Sequence, residues 1–450
     1  MTMKNEKWRQ KLHLEPPKGW LNDPNGLCWF KGKYHVFFQY TPDNADGRGD
    51  KCWGHYESTN FIKWNFTGTV LFPDIPEDKD GVYSGSAIIA NDTMELFYTG
   101  NVKENGNHDY ITSGRGANVI RVSSTDGRKF SEKHVILRNR DYPKYCSCHV
   151  RDPKIWAENE KYKMILGVRT LSDEGCVLIY ESEDLDSWKF VKKISTPKFG
   201  YMWECPDMFT IDEQKLLNIS PQGLTHTMTT NQNVYSSGYF LVDGENLRDF
   251  EEWDYGFDFY APQTFVAPDG RRILIGWMGM GDIPYTNPTV SFGYQHCLTL
   301  PREITISRNK EILQNPVHEL ELLRKNKLHI SDGKCSNISL PCEIYGKTND
   351  NFNITLDNAV KLSYDGKTFR LEFIKESVGC GRDIRNCTIE KCENIRIIAD
   401  MSSLEIYLGG GRKVLSTRFY PDSEAVTIQT HGIDLNGWYL KEMEVNILGE

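Results

Sequence analysis

Short segments dominated by apolar residues recur along the first 300 residues of the chain, each bounded by Gly, Asp, Asn or Pro. They are rich in β-branched and aromatic residues, a composition that favours strands. Helical periodicity is almost absent, and its nearest candidate is one short amphipathic stretch at 317–324. The pattern therefore predicts an all-β protein. The clearest strand segments are 34–40, 86–90, 94–98, 163–167, 176–180 and 272–276.

One arrangement of these segments occurs five times: a polar or proline-containing start, a strand, a charged turn and a second strand. The five copies are spaced 53 to 68 residues apart, and their register marks are Pro24, Gly85, Pro153, Pro206 and Pro262. Repeats of this size, each forming a four-stranded antiparallel sheet, are the blades of β-propellers. We therefore predict a five-bladed β-propeller over residues 1–305, with the first strand of each blade lining the central axis.

The repeat ends after residue 305. We predict that residues 306–326 form a linker to a second strand-rich region, residues 327–450. Apolar and polar residues alternate in its strand segments, and about 120 residues of such strands are typical of a two-sheet sandwich. The predicted architecture is a five-bladed propeller followed by a C-terminal β-sandwich.

Charge and cysteine content narrow the class of protein. The chain has 53 Lys and Arg against 62 Asp and Glu, a net charge of −9, which disfavours broad binding to nucleic acid. The first twenty residues contain no apolar signal core, and no stretch approaches the roughly 20 apolar residues of a membrane span. Twelve scattered cysteines favour reduced thiols. We expect a cytoplasmic protein without nucleic-acid or membrane partners; the pattern does not predict its oligomeric state.

Three carboxylates start the innermost strands of three different blades: Asp23, Asp152 and Glu204. Each alone has an ordinary explanation, as a turn former, as a local ion pair with Arg151, or as a strand-edge charge. The repeat, however, brings all three to one mouth beside large apolar residues. Carboxylates that converge in an apolar cleft have their pKa values driven apart. Such a set, with aromatic faces for stacking, is what cleavage of a glycosidic bond requires.

Other chemistries find little support in the sequence. It contains no G-x-S-x-G elbow, no H-E-x-x-H and no Walker loop. The cluster Cys146, Cys148 and His149 lacks the paired C-x-x-C spacing of a structural zinc site. The three carboxylates could instead hold a divalent cation, but no D-x-D run or carboxylate–histidine cluster supports this. We expect neither a metal nor a cofactor.

Six motifs, in order along the chain, resemble glycoside hydrolase family 32, the β-fructofuranosidases. The resemblance implies a retaining hydrolase that cleaves terminal β-D-fructofuranosides through a covalent fructosyl-enzyme. Sucrose, sucrose 6-phosphate and short fructo-oligosaccharides are the expected substrates. The motifs are Trp-Leu-Asn-Asp-Pro-Asn-Gly at 20–26, Tyr-Ser-Gly-Ser-Ala at 83–87, Arg-Asp-Pro at 151–153, Trp-Glu-Cys-Pro-Asp at 203–207, Asp-Phe-Tyr-Ala with Gln at 258–263, and Leu-Pro-Arg-Glu at 300–303.

The resemblance also implies a role for each carboxylate. Asp23 would be the nucleophile, Glu204 the acid/base and Asp152 the transition-state stabiliser that holds fructose hydroxyls. Their sequence neighbours suggest that Trp203 keeps a proton on Glu204 and that Arg151 keeps Asp152 ionised. The positions matching the family's fructose pocket are Asn22, Gln39, Trp53, Tyr83, Ser84, Arg151 and Trp277.

Two alternatives and one question stay open at this point. A fructosyltransferase would share every catalytic residue, whereas a non-catalytic sugar-binding propeller would not need the three carboxylates. The loop at 43–50 lacks an aromatic residue, so the shape of the leaving-group side is undefined. Arg48, Arg115 and Arg128 lie in predicted loops and are available to bind a phosphate, but the sequence places none of them at the pocket.

Overall fold

The computed structural model of the chain describes residues 7–244, 246–333, 335–348 and 351–448. Strands dominate it, and its one α-helix in the described residues is the single turn α1 (Glu376–Gly379). The all-β prediction is confirmed. Among the described residues, no helix is long and apolar enough to cross a membrane, and every cysteine side chain that can be examined is a free thiol.

Five antiparallel sheets follow one another along the chain and form the blades of the propeller. Blade 1 contains β1 (Gly19–Phe30), β2 (Lys33–Thr41), β3 (Cys52–Ser58) and β4 (Lys63–Leu71). Blade 2 contains β5 (Val82–Ala90), β6 (Thr93–Lys103), β7 (Arg115–Ser124) and β8 (His134–Leu137). Blade 3 contains β9 (Cys146–Glu158), β10 (Lys161–Thr170), β11 (Gly175–Ser182) and β12 (Lys189–Ile194).

The last two blades complete the ring. Blade 4 contains β13 (Met202–Ile211), β14 (Gln214–Gln222), β15 (Gly238–Asp243) and β16 (Asn246–Glu252). Blade 5 contains β17 (Tyr260–Val266), β18 (Arg272–Met278), β20 (Cys297–Leu298), β21 (Arg302–Ile306) and β22 (Ile312–Pro316), while β19 (Tyr294–Gln295) pairs in parallel with β1. The inner strands β1, β5, β9, β13 and β17 contact one another in that order, and β17 returns to β1. The five-bladed propeller predicted from the repeat is confirmed.

Two six-stranded antiparallel sheets follow, as predicted for a sandwich. The first contains β23 (Arg324–Ile330), β25 (Cys342–Lys347), β30 (Asn394–Ala399), β31 (Ser403–Leu408), β32 (Lys413–Arg418) and β34 (Leu435–Leu440). The second contains β24 (Cys335–Ser339), β26 (Phe352–Leu356), β27 (Val360–Tyr364), β28 (Thr368–Phe373), β29 (Ile384–Thr388) and β33 (Ala425–His431). Alternate residues of both sheets form one apolar core that includes Ile344, Leu362, Ile397, Leu404 and Ile428.

The boundary between the two parts differs from the linker expected at 306–326. Strand β22 pairs with β21 in blade 5, so part of the expected linker belongs to the propeller. A short 3-10 helix, His318–Leu323, then leads directly into β23. At the other end, β35 (Glu444–Ile447) leaves the sandwich and pairs in parallel with β4. These edge strands have only five and four residues, too short to stand out in the sequence, and we propose 317–323 as the boundary.

A buried network of charges joins the propeller to the sandwich. His13 lies between two sandwich carboxylates, with Nδ1 2.8 Å from Asp400 and Nε2 3.0 Å from Glu405. The Arg302 guanidinium donates to Glu405 at 2.8 Å and to Asp254 at 3.1 Å. All five side chains are buried. Because an unpaired charge is very costly inside a protein, this pairing fixes how the two parts sit against each other.

The position of His13 predicts a pH dependence of stability. Both ring nitrogens face carboxylates, and although burial opposes it, these hydrogen bonds raise the pKa of His13 to about 9. A raised histidine pKa stabilises the fold fully below its unfolded value and loses that contribution as pH rises through the folded value. We expect the free energy of unfolding to fall by about 3 kcal/mol between roughly pH 6.5 and 9.

Chemical denaturation of wild type and His13→Gln across this pH range tests the prediction. The substitution should be destabilising near pH 6 and should remove most of the decline toward pH 9. His226→Gln, at an exposed histidine, is the matched control and should keep the wild-type profile. An unchanged decline in His13→Gln would contradict the assignment.

Candidate active site

In each inner strand of the propeller, two residues interrupt the regular pairing with the next strand, and the five interruptions lie at equivalent positions. The irregularity lies between Leu21 and Pro24 in blade 1 and between Glu204 and Asp207 in blade 4. Blades 2 and 5 show it between Val82 and Gly85 and between Tyr260 and Gln263, and blade 3 at 152–153. A β-bulge re-aims the side chains at its position. Five bulges at one mouth therefore direct their side chains toward the axis.

Three of these bulges hold a non-glycine residue in the left-handed region. They are Asp152 (φ 62°), Cys205 (φ 45°) and Ala261 (φ 49°), and a proline follows each of them. This conformation costs energy for residues with a Cβ, and such strain is concentrated at functional sites. The recurring proline explains why the repeat was visible in the sequence.

Asp23 is held by neutral hydrogen-bond donors. Asn22 Nδ2 donates to its Oδ1 at 3.1 Å, and the Ser84 hydroxyl donates to its Oδ2. Burial raises the pKa of Asp23, the nearby charge of Glu204 raises it further, and the two donors oppose this. The carboxyl is thus oriented by neutral groups, and within the described ranges no cationic side chain forms an ion pair with it.

Asp152 is almost wholly buried, with 4% of its surface exposed. Its Oδ2 accepts the Cys205 backbone N–H at 2.9 Å, and its own N–H donates to Thr99 Oγ1 at 2.8 Å. Burial raises the pKa of Asp152 to about 7; the charge of Arg151 acts in the opposite direction. Arg151 thus acts on Asp152 in the expected direction, but burial has the larger effect on this pKa.

Glu204, rather than Asp152, is the carboxylate that Arg151 binds. Its Oε1 accepts from Arg151 Nε at 3.0 Å and from Nη2 at 2.7 Å. Its Oε2 accepts from Gln222 Nε2 at 2.7 Å and from the Tyr260 hydroxyl at 2.5 Å. Arg151 Nη1 lies 2.6 Å from His149 Nδ1, which burial and the neighbouring arginines keep neutral by lowering the His149 pKa to about 3.

Trp203 does not face the Glu204 carboxyl. Its indole is fully buried, donates from Nε1 to the Phe199 carbonyl at 2.7 Å and packs in a cluster with Ile165 and Val177. Adjacent residues of a strand point to opposite faces of the sheet. The expectation that contact with Trp203 keeps a proton on Glu204 is therefore wrong.

Three of the predicted pocket residues, Asn22, Ser84 and Arg151, contact the carboxylates, and a fourth, Gln39, contacts Asn22. Ser84 contacts Asp23 and Arg151 contacts Glu204, as described above. Asn22 and Gln39 form a chain in which Trp20 Nε1 donates to Asn22 Oδ1 at 2.9 Å and Asn22 Nδ2 donates to Gln39 Oε1. Because both amides are held by protein partners, their orientation is set before a ligand arrives.

The three predicted aromatic residues have different positions. Trp53 has no exposed surface and donates to the Tyr83 carbonyl at 3.1 Å, so it supports the Tyr83 strand from the core rather than offering a face to a ligand. Trp277 pairs with Tyr260 across β17 and β18 and packs beside the Trp20 ring. Its Nε1 has no hydrogen-bond partner within the part of the chain that is described.

Sequence reasoning missed four residues that contact these groups. Cys205 Sγ lies 3.7 Å from both Asp23 Oδ2 and Asp152 Oδ2, so the thiol bridges the two carboxylates. Tyr260 occupies the blade 5 position equivalent to Glu204, a signal that the repeat already contained. His149 lies two residues before Arg151 and so on the same face. Nothing in the sequence around Gln222, at the end of β14, indicates that it contacts Glu204.

Family models match both parts of the chain. The model for the "Glycosyl hydrolases family 32 N-terminal domain" matches residues 13–316, and the "Glycosyl hydrolases family 32 C terminal" model matches residues 319–436. The chain is 37% identical over 439 residues to a sucrose-6-phosphate hydrolase of Bacillus subtilis, covering 92% of this chain and 89% of that protein.

Two solved structures are similar to this chain over nearly its whole length. A variant of the GH32 beta-fructofuranosidase of Bombyx mori in complex with sucrose is similar at a TM-score of 0.86 and 29% identity, covering 98% of this chain and 95% of that one. A sucrose-6-phosphate hydrolase from Lactobacillus gasseri has a TM-score of 0.86 at 26% identity, covering 97% and 94%.

The raised pKa of the buried Asp152 predicts that this residue lowers the stability of the fold as the pH rises. A folded-state pKa of about 7, above the ordinary value, costs stability progressively from about pH 4 to 7, because the unfolded chain loses its proton first. Asp152→Asn has no such cost. Its melting temperature relative to wild type should therefore rise over this range, by an amount equivalent to at most about 4 kcal/mol.

Thermal unfolding of both proteins in a series of buffers measures this difference. Asp186→Asn, at an exposed turn of blade 3, provides the control and should show a nearly constant offset. A pH-independent offset for Asp152→Asn as well would contradict the raised pKa.

Proposed function

The chain belongs to glycoside hydrolase family 32, and on this premise we propose that Asp23, Glu204 and Asp152 divide the chemistry of fructoside cleavage between them. The protein is a β-fructofuranosidase, as the two family models and the close relatives establish. What we propose is the role of each residue, the course of the reaction and the preferred substrate.

The observation that supports these roles most strongly is the difference between the partners of Asp23 and Glu204. Asp23 accepts hydrogen bonds from the neutral groups of Asn22 and Ser84, which aim its oxygens and leave it nucleophilic. Glu204 is held by the proton donors Tyr260 and Gln222 and by Arg151. Of these partners, the Tyr260 hydroxyl can both donate and accept, so it can keep a hydrogen bond to Glu204 when that carboxyl gains or loses a proton.

In the first step, the Asp23 carboxylate attacks the anomeric carbon C2 of fructose. The bond from C2 to the glycosidic oxygen breaks, and that oxygen takes the proton of Glu204 and leaves with the second sugar. The product is an ester between Asp23 and fructose. Asp152 lies beside Asp23 through the shared Cys205 thiol, where its negative form would stabilise the oxocarbenium-like transition state and bind fructose hydroxyls.

In the second step, the ionised Glu204 removes a proton from water. The resulting hydroxide oxygen attacks C2, the ester bond breaks and Asp23 returns to a carboxylate. Glu204 regains the proton that it gave away in the first step, so the cycle closes. Arg151 holds Glu204 Oε1 in position through both steps.

Small soluble fructosides are the proposed substrates: sucrose, sucrose 6-phosphate and short fructo-oligosaccharides. The Bacillus subtilis relative is a sucrose-6-phosphate hydrolase, and the Bombyx mori structure contains sucrose. The free thiols among the described residues agree with a reducing compartment, and we propose a cytoplasmic enzyme.

Glu204→Gln tests the acid/base role. Its kcat/KM on sucrose should fall by about 10²- to 10⁴-fold, because the glycosidic oxygen must leave without a proton. An aryl fructoside, whose leaving group needs no proton, should lose much less in its initial burst of phenol release. Rapid-quench kinetics on the two substrates measures both losses.

Glu213→Gln provides the control, since Glu213 is an exposed residue in the β13–β14 turn of the same blade. It should retain wild-type rates on both substrates. Equal losses on sucrose and on the aryl fructoside in Glu204→Gln would assign Glu204 to substrate positioning instead of proton transfer.

A further inference from the structure

Arg115 lies at the first residue of β7, where a loop of blade 2 meets blade 3. That loop is held against blade 3 by the Cys148 N–H, which donates to the Ile111 carbonyl at 2.7 Å. Cys148 is followed in β9 by His149, Arg151 and Asp152. Arg115 therefore stands beside the strand that supplies two of the site residues.

The half-buried Arg115 guanidinium lacks a counter-ion among the described residues. No carboxylate lies within 4.0 Å of it there, and its Nε atom is buried without a hydrogen-bond acceptor. Two fully buried arginines have carboxylate partners: Arg302 is paired with Glu405 and Asp254, and Arg382 with Asp258. A partly desolvated cation without a partner is costly, and a ligand anion would remove that cost.

The other two arginines flagged as available for phosphate in the sequence already have partners. Arg48 is exposed and pairs with Asp46 at 2.5 Å, and Arg128 pairs with the buried Glu57. Lys51 lies near the site, but its ammonium group donates to Thr41 Oγ1 and the Gly47 carbonyl and so holds the loop at 42–50 in place. Among these four, only Arg115 has a buried donor nitrogen without an acceptor in the described part of the chain.

The surroundings of Arg115 add positive charge. The charges of Arg115, Arg151 and Arg169 all act on the neutral His149. Arg151 is bound to Glu204, and Arg169 pairs with Asp173 while its guanidinium lies 4.7 Å from the Tyr201 ring centroid. Because Arg151 and Arg169 have carboxylate partners, Arg115 is the arginine of this group whose charge is left for an anionic ligand.

We propose that Arg115 binds a phosphate ester carried by the leaving sugar, and so makes sucrose 6-phosphate a better substrate than sucrose. The inference rests on the proposed function in one respect: Glu204 protonates the glycosidic oxygen, so the leaving sugar lies on the side of Glu204 and its partner Arg151. Arg115 lies on that side, near Tyr83 and both of these groups. A guanidinium binds phosphate through two parallel hydrogen bonds, which suits Arg115 to this ligand.

Steady-state kinetics on sucrose and sucrose 6-phosphate tests the proposal. For Arg115→Gln, we expect kcat/KM on the phosphorylated substrate to fall by about 10- to 100-fold, mainly through KM, the range of one charge-assisted hydrogen bond. The value on sucrose should change less than about twofold. Arg115→Lys should recover part of the loss, because it keeps the charge without the planar fork.

Arg140→Gln, at an exposed arginine between blades 2 and 3, removes the same charge and should leave both substrates unaffected. An equal loss on both substrates in Arg115→Gln would overturn the proposal and make Arg115 a support for Arg151. No loss on either substrate would overturn it as well.

Binding without turnover separates this proposal from the proposed function. Calorimetric titration of the full wild-type chain with glucose 6-phosphate and with glucose should show binding of the phosphorylated sugar at least about tenfold tighter, and Arg115→Gln should remove the difference. Equal binding of both sugars by wild type overturns the inference even when fructosides are hydrolysed. Conversely, phosphate-dependent binding in a chain that hydrolyses neither substrate would support the subsite and reject the proposed reaction.

Discussion

The structure depends on one repeated interruption: each inner strand leaves its ladder for two residues at the mouth of the propeller. Without these bulges, the side chains of 22–23, 83–84, 152, 205 and 261 would alternate in and out of their sheets. With them, carboxylates from blades 1, 3 and 4 meet at the axis, although Asp23 and Glu204 are 181 residues apart in sequence. The strained backbone at Asp152 and Cys205 is thus part of what builds the site.

Burying the charges of this site costs free energy of folding, and contacts elsewhere in the molecule hold the site in place. Asp152 is desolvated, and the carboxylate that pairs with Arg151 is Glu204 on the next blade. The blades must therefore remain in register for the charges to remain paired. Ring closure through β19 contributes to this, and the buried contacts of Arg302 with Glu405 tie blade 5 to the sandwich. The same principle of paired buried charge explains why an unpaired Arg115 stands out.

The repeat in the sequence predicts where the inner strands lie, but it predicts few of the contacts between their side chains. The spacing of Pro153, Pro206 and Pro262 located the inner strands, because each proline follows a bulge residue. Two contacts predicted between neighbours in sequence do not form. Trp203 and Glu204 face opposite sides of a strand, and Arg151 binds Glu204 rather than Asp152. Tyr260 reaches Glu204 from blade 5 and Gln222 reaches it from the paired strand of blade 4, and no local sequence pattern indicates either contact.

The covalent role proposed for Asp23 can be tested by mapping the fructosyl adduct. Glu204→Gln is incubated with an aryl fructoside, quenched in acid, digested and analysed by peptide mass spectrometry. We expect one added hexosyl unit on the peptide that contains Asp23, with β-fructofuranose as the first sugar released by wild type. An adduct on a peptide carrying Asp152 instead, or no adduct together with release of the α-anomer, would contradict it.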